Sequence, residues 1–338
     1  MLGGATGYLC LGAETYHPPM RGGVIDRKIL LAFAGVVLLA GSNIVAVRFS
    51  NRELDPFWGA GIRFLGASLI LWALVVAGRH PLPRGRALGG AFVYGILSFL
   101  VAYAFFYWGS QEVPAGLGGT IMAAVPLLTV LLAAGHRLER LRPRGMLGAV
   151  VALAGIAVMS SGALSGDVSL VSVLAVVVAA AAAAESGIVL KLLPSAHPVM
   201  TNAIGMSVGA VLLLTLSLIT GESWGLPESP SAWGAITYLA IASPFLFMLV
   251  IYVIQRWTAT GASYQFVLFP IVSVIGGAVL LNEEVTVSLL LGAPLVLAGV
   301  YIGALSGSEE PTNVPDSRSE PVVSDRRSGR RGNTNRPR

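Results

Sequence analysis

A few side chains able to do chemistry stand in stretches that are otherwise apolar. Glu185 sits in AAAAAESGIVLK and Arg63 in IRFLGASLIL. A carboxylate buried in hydrocarbon is costly if ionised and unpaired, so it must be protonated, paired or beside water, and intramembrane charges of this kind mark functional sites. Two roles fit Glu185: carriage of a coupling proton, or a structural pairing near the surface, since Lys191 follows within two turns. Arg63 carries a planar fork of donors that can hold a carboxylate bidentately. It also lies only about 9 Å of helix rise into its stretch, within snorkelling reach of an interface.

Neutral polar groups form a second set. Ser42 and Asn43, in LLAGSNIVAV, can hydrogen-bond a substrate or a neighbouring helix. Tyr103 and Tyr107, in LVAYAFFYWGSQ, share one helical face at i, i+4, and Tyr252, Tyr264 and Gln265 supply similar groups further on. Phenols and amides of this sort suit a cavity for small organic ligands, whereas Trp108 and Trp257, at the ends of their stretches, suit an interfacial belt. Pro126 and Pro270 fall in the middle of apolar runs, where proline kinks a helix and frees carbonyls, so they are candidate hinges. The single cysteine, Cys10, permits no internal disulfide. His17, His80, His136 and His197 are too scattered for a metal cluster. No phosphate-binding glycine loop is present, and no cofactor is expected.

The elements that must position these groups are legible in the composition. Of the 338 residues, 55% are hydrophobic and only 12% charged, against roughly 25% charged in soluble domains. Runs of about 20 apolar residues, enough to cross a hydrocarbon core, occur near 29–47, 57–77, 87–108, 114–134, 145–162, 169–190, 199–219, 232–254, 259–281 and 287–306. They are continuous rather than alternating, which favours helices over a barrel. The expected fold is therefore an all-α integral membrane bundle of ten transmembrane helices. Nineteen of the 22 Lys and Arg fall in alternate connections and the tail, Arg48 and Arg52 lie opposite, and Arg63 lies inside a run. That bias places both termini in the cytoplasm and accounts for the net charge of +5 without nucleic acid. The tail after residue 306, rich in Ser, Pro, Arg and Gly, is expected to be a disordered cytoplasmic segment. Residues 1–28 form a cytoplasmic N-terminal segment without the order of a signal peptide, with Met20 as an alternative start to Met1.

Sliding the chain against itself brings out one register. At an offset of 144, Leu147-Gly148-Ala149 falls on Leu291-Gly292-Ala293, Leu153-Ala154-Gly155 on Leu297-Ala298-Gly299, Glu139 on Glu283, Pro126 on Pro270 and Gln111 on Gln255. The earlier runs align more loosely, with Asp55-Pro56 near His197-Pro198 and Glu185 near Ser42-Asn43. Two repeats follow, 29–163 and 169–306. Each has five spans, an odd number, so the second enters the bilayer inverted relative to the first, an arrangement that serves alternating access in secondary carriers. Gly148, Gly155 and Gly162, and Gly292 with Gly299, recur every seven residues and predict close helix contact.

The stretches GSNIVAVRF, IRFLGASLIL, AVPLLTVLLAAGHRLERLRPRGMLGAVVALAGIAV and FPIVSVIGGAVLLNEEVTVSLLLGAPLVLAGV resemble the EamA-type drug/metabolite transporter family over about residues 29–306. The family often closes its fourth and ninth spans with Gly-Glu, where this chain reads His136-Arg137-Leu138-Glu139 and Asn282-Glu283-Glu284. The resemblance implies a central cavity between the halves and movement of small metabolites such as amino acids or drugs across the cell (inner) membrane, with export the favoured direction. The expected partners are a small-molecule substrate and the lipid bilayer, with a coupling proton and a homodimer as further candidates. The rival functions are a membrane-embedded enzyme, which needs convergent acid, base or metal groups, and a passive channel or facilitator.

Overall fold

The structure is a computed structural model that describes residues 27–137, 143–159, 168–192, 197–256 and 259–305. Glu139, most of the segment 1–28 and the tail after residue 306 lie outside the described residues. Among those described, all regular structure is helical, as lipid requires of an apolar chain that must satisfy its own backbone. In chain order the helices are α1 (Arg27–Ser50), α2 (Pro56–Gly78), α3 (Arg86–Gly109), α4 (Ala115–Gly135), α5 (Pro143–Met159), α6 (Leu170–Leu192), α7 (Pro198–Thr220), α8 (Pro230–Arg256), α9 (Ala259–Leu281) and α10 (Val287–Val300). Seven stretches, within α1 to α4 and α6 to α8, are long and apolar enough to cross a membrane; α5, the Leu268–Leu281 part of α9 and the Val287–Gly303 stretch begun by α10 are shorter apolar helices.

Local signals fix several boundaries. Asp55-Pro56 and His197-Pro198 open α2 and α7 with proline in the first turn, where its missing N–H costs nothing. Arg79 and Gly221 close the same two helices in the left-handed conformation, and Thr286 caps α10 by accepting from the Leu289 N–H at 3.2 Å. Inside α3, Ile96–Val101 forms a π turn. The paired prolines behave differently. Pro126 splits α4 into Ala115–Met122 and Val125–Gly135, whereas Pro270 lies within α9 without interrupting it.

Helix α2 packs along α7, and α5 along α10. Helix α1 lies against α8 and α9, α6 against α3 and α4, α8 against α2, α7 against α3, and α9 against α4. One apolar core threads α1 to α10, and a smaller cluster joins Val36 and Ala40 of α1 to Leu246 and Val253 of α8 and Phe269 of α9.

Candidate substrate site

Arg63 is the organising residue of the interior. Its side chain is 0% exposed, so it does not snorkel to an interface; the guanidinium turns into the bundle instead. Nε donates to Ser243 Oγ at 3.0 Å, Nη2 to Asn43 Oδ1 at 2.5 Å and Nη1 to Tyr107 Oη at 3.4 Å. The guanidinium carbon lies 4.9 Å from the Phe64 ring centre and 4.8 Å from that of Tyr103, within cation–π range. Helices α1, α2, α3 and α8 thus meet at one cation. Among the described residues no carboxylate lies within ion-pair distance of it. Asn43 is fixed by donating Nδ2 to the Leu39 carbonyl at 2.8 Å, and Ser243 by donating to Leu239 O.

An aromatic wall adjoins this node. Tyr103 meets Phe64 edge to face at 4.7 Å and stacks on Phe99 at 6.3 Å, and Phe99 meets Phe247 of α8 at 5.1 Å. Tyr103 and Phe247 remain partly exposed. Sequence reasoning singled out Asn43, Arg63, Tyr103 and Tyr107, which the fold brings together, and missed Ser243. The available signal was the repeat register, in which Ser243 falls on Phe99, a polar residue opposite an apolar one.

The remaining candidates lie elsewhere. Ser42 faces α8, its hydroxyl sharing a hydrogen bond with Tyr238 Oη. Glu185 pairs through Oε1 with His136 Nε2 at 2.8 Å, and its Oε2 is buried with no hydrogen-bond partner among the described residues. His136, just past the end of α4, was not foreseen as the partner. Tyr252 packs against the smaller α1–α8–α9 cluster. Gln265 is buried with its Oε1 unpartnered among the described residues, and the Tyr264 side chain lies outside those described.

One end of the bundle is knitted by residues distant in sequence. Glu283 accepts from Arg48 Nε at 3.1 Å and from the Ala115 N–H at 2.8 Å, while Arg48 Nη1 donates to the Ser110 and Gln111 carbonyls at 2.7 Å. Glu222 accepts the Phe57 and Trp58 N–H groups at the start of α2, where a carboxylate also meets the positive end of the helix dipole. Asp55 accepts from the Ser223 N–H and hydroxyl, and Trp58 stacks on Trp224 at 4.8 Å. Ser229, first through its hydroxyl and then through its N–H, holds the exposed Glu53 carboxyl below the usual carboxylate pKa. Glu283→Gln should cost about 1 kcal/mol, because the amide still accepts from Ala115 and only the partly exposed ion pair is lost. Glu283→Ala should cost about 2 kcal/mol, since two donors lose their partner. Thermal unfolding of the purified variants reads the difference.

At the other ends of the same helices, where α2 stops and α7 begins, the His80 and His197 rings stack 3.8 Å apart. Partial burial, and after it the facing His80, hold the His197 imidazole below its ordinary pKa. The unfolded chain therefore takes up this proton more readily than the folded one. The stability is fully present above about pH 6.5, the ordinary histidine value, and is lost as pH falls through that value toward the folded pKa. The melting temperature should fall on acidification below about pH 6.5, and His197→Asn should flatten that fall.

Apolar helices gathered around a buried polar centre define a multi-pass membrane protein. The sequence profile of the EamA-like transporter family matches twice, over residues 27–161 and 170–304, and the chain belongs to that family. It is 26% identical to an "Uncharacterized transporter" of Archaeoglobus fulgidus over 81% of this chain and 98% of the relative. It is 28% identical to the "Uncharacterized inner membrane transporter YedA" of Escherichia coli over 77% of this chain and 86% of the relative. A "Probable amino-acid metabolite efflux pump" of Salmonella typhimurium is 26% identical over 79% of this chain and 91% of its own length. A crystal structure 20% identical in sequence shares the fold, with a TM-score of 0.58 over 84% of this chain and 99% of the other.

Proposed function

We propose that the chain is a secondary transporter that exports small metabolites, amino acids or drugs among them, across the inner cell membrane by alternating access. The observation that carries this reading is the Arg63 node, where a polar centre buried in an apolar bundle takes Asn43, Arg63 and Tyr107 from one family-matched segment and Ser243 from the other. All ten helices cross the bilayer in this scheme, as inverted repeats 29–163 and 169–306 with both chain ends in the cytoplasm. The packing supports it. If α1 to α5 are exchanged with α6 to α10 in order, the contacts α1–α8, α1–α9 and α2–α8 become α6–α3, α6–α4 and α7–α3, which also exist, while α2–α7, α4–α9 and α5–α10 map onto themselves. The substrate passes between the halves beside Arg63, Tyr103 and Tyr107, with Ser42, Tyr252, Tyr264 and Gln265 lining its route and Pro126 and Pro270 as hinge points.

In this scheme Glu185, with His136 beside it, carries the coupling proton. The test is radiolabelled flux in proteoliposomes over a panel of amino acids, purines and cationic drugs. Saturable counterflow is expected, and continuous unsaturable conductance would instead make it a channel. Glu185→Gln should keep exchange but lose accumulation driven by a pH gradient; accumulation that survives the substitution removes the proton role.

A further inference from the structure

We infer that Arg63 holds a carboxylate on the transported molecule, whose apolar body lies along the Tyr103–Phe99–Phe247 wall. This rests on the transporter reading above and narrows its substrates to organic anions rather than cations. The guanidinium keeps its charge at every physiological pH, yet its partners Asn43, Ser243 and Tyr107 and the flanking rings are all neutral. Three of its five N–H donors are engaged in these hydrogen bonds, which leaves donors for a planar anion. A positive charge enclosed in low dielectric with no carboxylate at ion-pair distance among the described residues attracts an anion strongly and repels a cation.

The repeat bears on why the charge is there. In the register that lays Pro56 on Pro198, Arg63 falls on Gly205, and Ser243 falls on Phe99 at the offset of 144. The contact of Arg63 with Ser243 between α2 and α8 has as its counterpart the contact of Gly205 with Phe99 between α7 and α3, where a Cβ on Gly205 would lie 3.0 Å from the ring. The second half makes the same helix crossing with a phenyl ring against a glycine. Packing therefore does not demand a cation at this crossing. The one half that carries it also carries the aromatic side chains, Phe64 and Tyr103, that face it.

The test is thermal stabilisation of the purified full-length protein by acetate, butyrate, 3-phenylpropionate and L-phenylalanine, each compared with its own amide, since a ligand bound to the folded state raises the melting temperature. The expected result is stabilisation by the acids with the larger bodies and none by their amides. Arg63→Gln should weaken acid binding by about 10- to 100-fold, the usual worth of a hydrogen bond to a charged group. Arg63→Lys, which keeps the charge and loses the fork, should fall between. Gly234→Leu, at an exposed position away from the node where nothing lies within 4 Å of a Cβ, should retain the preference for acid over amide, and a cooperative thermal transition in the unliganded arginine variants shows that they are folded. Equal shifts by acid and amide, no shift by any acid, or unchanged acid binding in Arg63→Gln overturns the inference. Counterflow of the same probes in proteoliposomes separates it from the transporter reading. Saturable counterflow of acids and amides alike keeps the carrier and removes the carboxylate site, whereas acid-selective binding without any counterflow does the reverse.

Discussion

Gly155→Leu is expected to abolish recovery of folded protein, with the variant running as aggregate in size exclusion. Helices α5 and α10 approach backbone to backbone. A Cβ on Gly155 would lie 2.7 Å from Val296 N and 2.8 Å from Gly292 O, and one on Gly148 would lie 2.5 Å from Gly299 O. From the other side, a Cβ on Gly292 would lie 2.6 Å from Gly155 O and one on Gly299 2.6 Å from Gly148 O. The obstructing atoms are main chain, so they cannot rotate away, and the helices must separate along the whole contact. Overpacking against side chains costs about 1–3 kcal/mol; against backbone, with four added carbons, the cost should exceed about 3 kcal/mol. Gly234→Leu is the control, because nothing lies within 4 Å of a Cβ at that exposed position. A Gly155→Leu protein that melts within a degree or two of the parent would refute the close approach.

This contact was foreseeable because glycines at seven-residue spacing state the geometry that they permit. The apolar runs were legible for a similar reason, since lipid imposes length and composition on any segment that crosses it. Helix α3 shows where that legibility stops. Its π turn at Ile96–Val101 follows directly on Gly95, but Gly89 and Gly90 in the same apolar run stay in regular α-helix, so a glycine in the run does not mark where the turn falls. Pro126 interrupts its helix and Pro270 does not, although the sequence makes them equivalent; the difference belongs to the surroundings of each helix. In the site, buried Asn43 and Arg63 were conspicuous as polar groups in apolar runs. Ser243 was not, because a serine satisfied by a carbonyl four residues earlier costs a helix little and so carries little signal. Glu185 drew attention to Lys191, its neighbour in sequence, whereas the fold gives it His136, 49 positions away.

Asn43→Leu should destabilise the protein by about 2–3 kcal/mol, although the substitution nearly conserves volume and places an apolar residue in an apolar bundle. Asn43 is 6% exposed, and its Oδ1 accepts from Arg63 Nη2. Leucine leaves a guanidinium in place and takes away an acceptor, and a hydrogen bond to a charged group is worth about 1.5–3 kcal/mol. The second substitution discriminates. In Asn43→Leu/Arg63→Met the cation is gone as well, and replacing both members of a buried polar contact by apolar residues is often neutral or stabilising. The double variant should therefore be at least as stable as Asn43→Leu alone, giving a coupling energy of about 1–3 kcal/mol in a double-mutant cycle. Simple addition of the two losses would mean that Arg63 acts as a structural tie independent of Asn43. The double variant should also bind no carboxylate. Stability regained while acid binding is lost is the combination expected of a charge that the fold tolerates for the sake of its ligand.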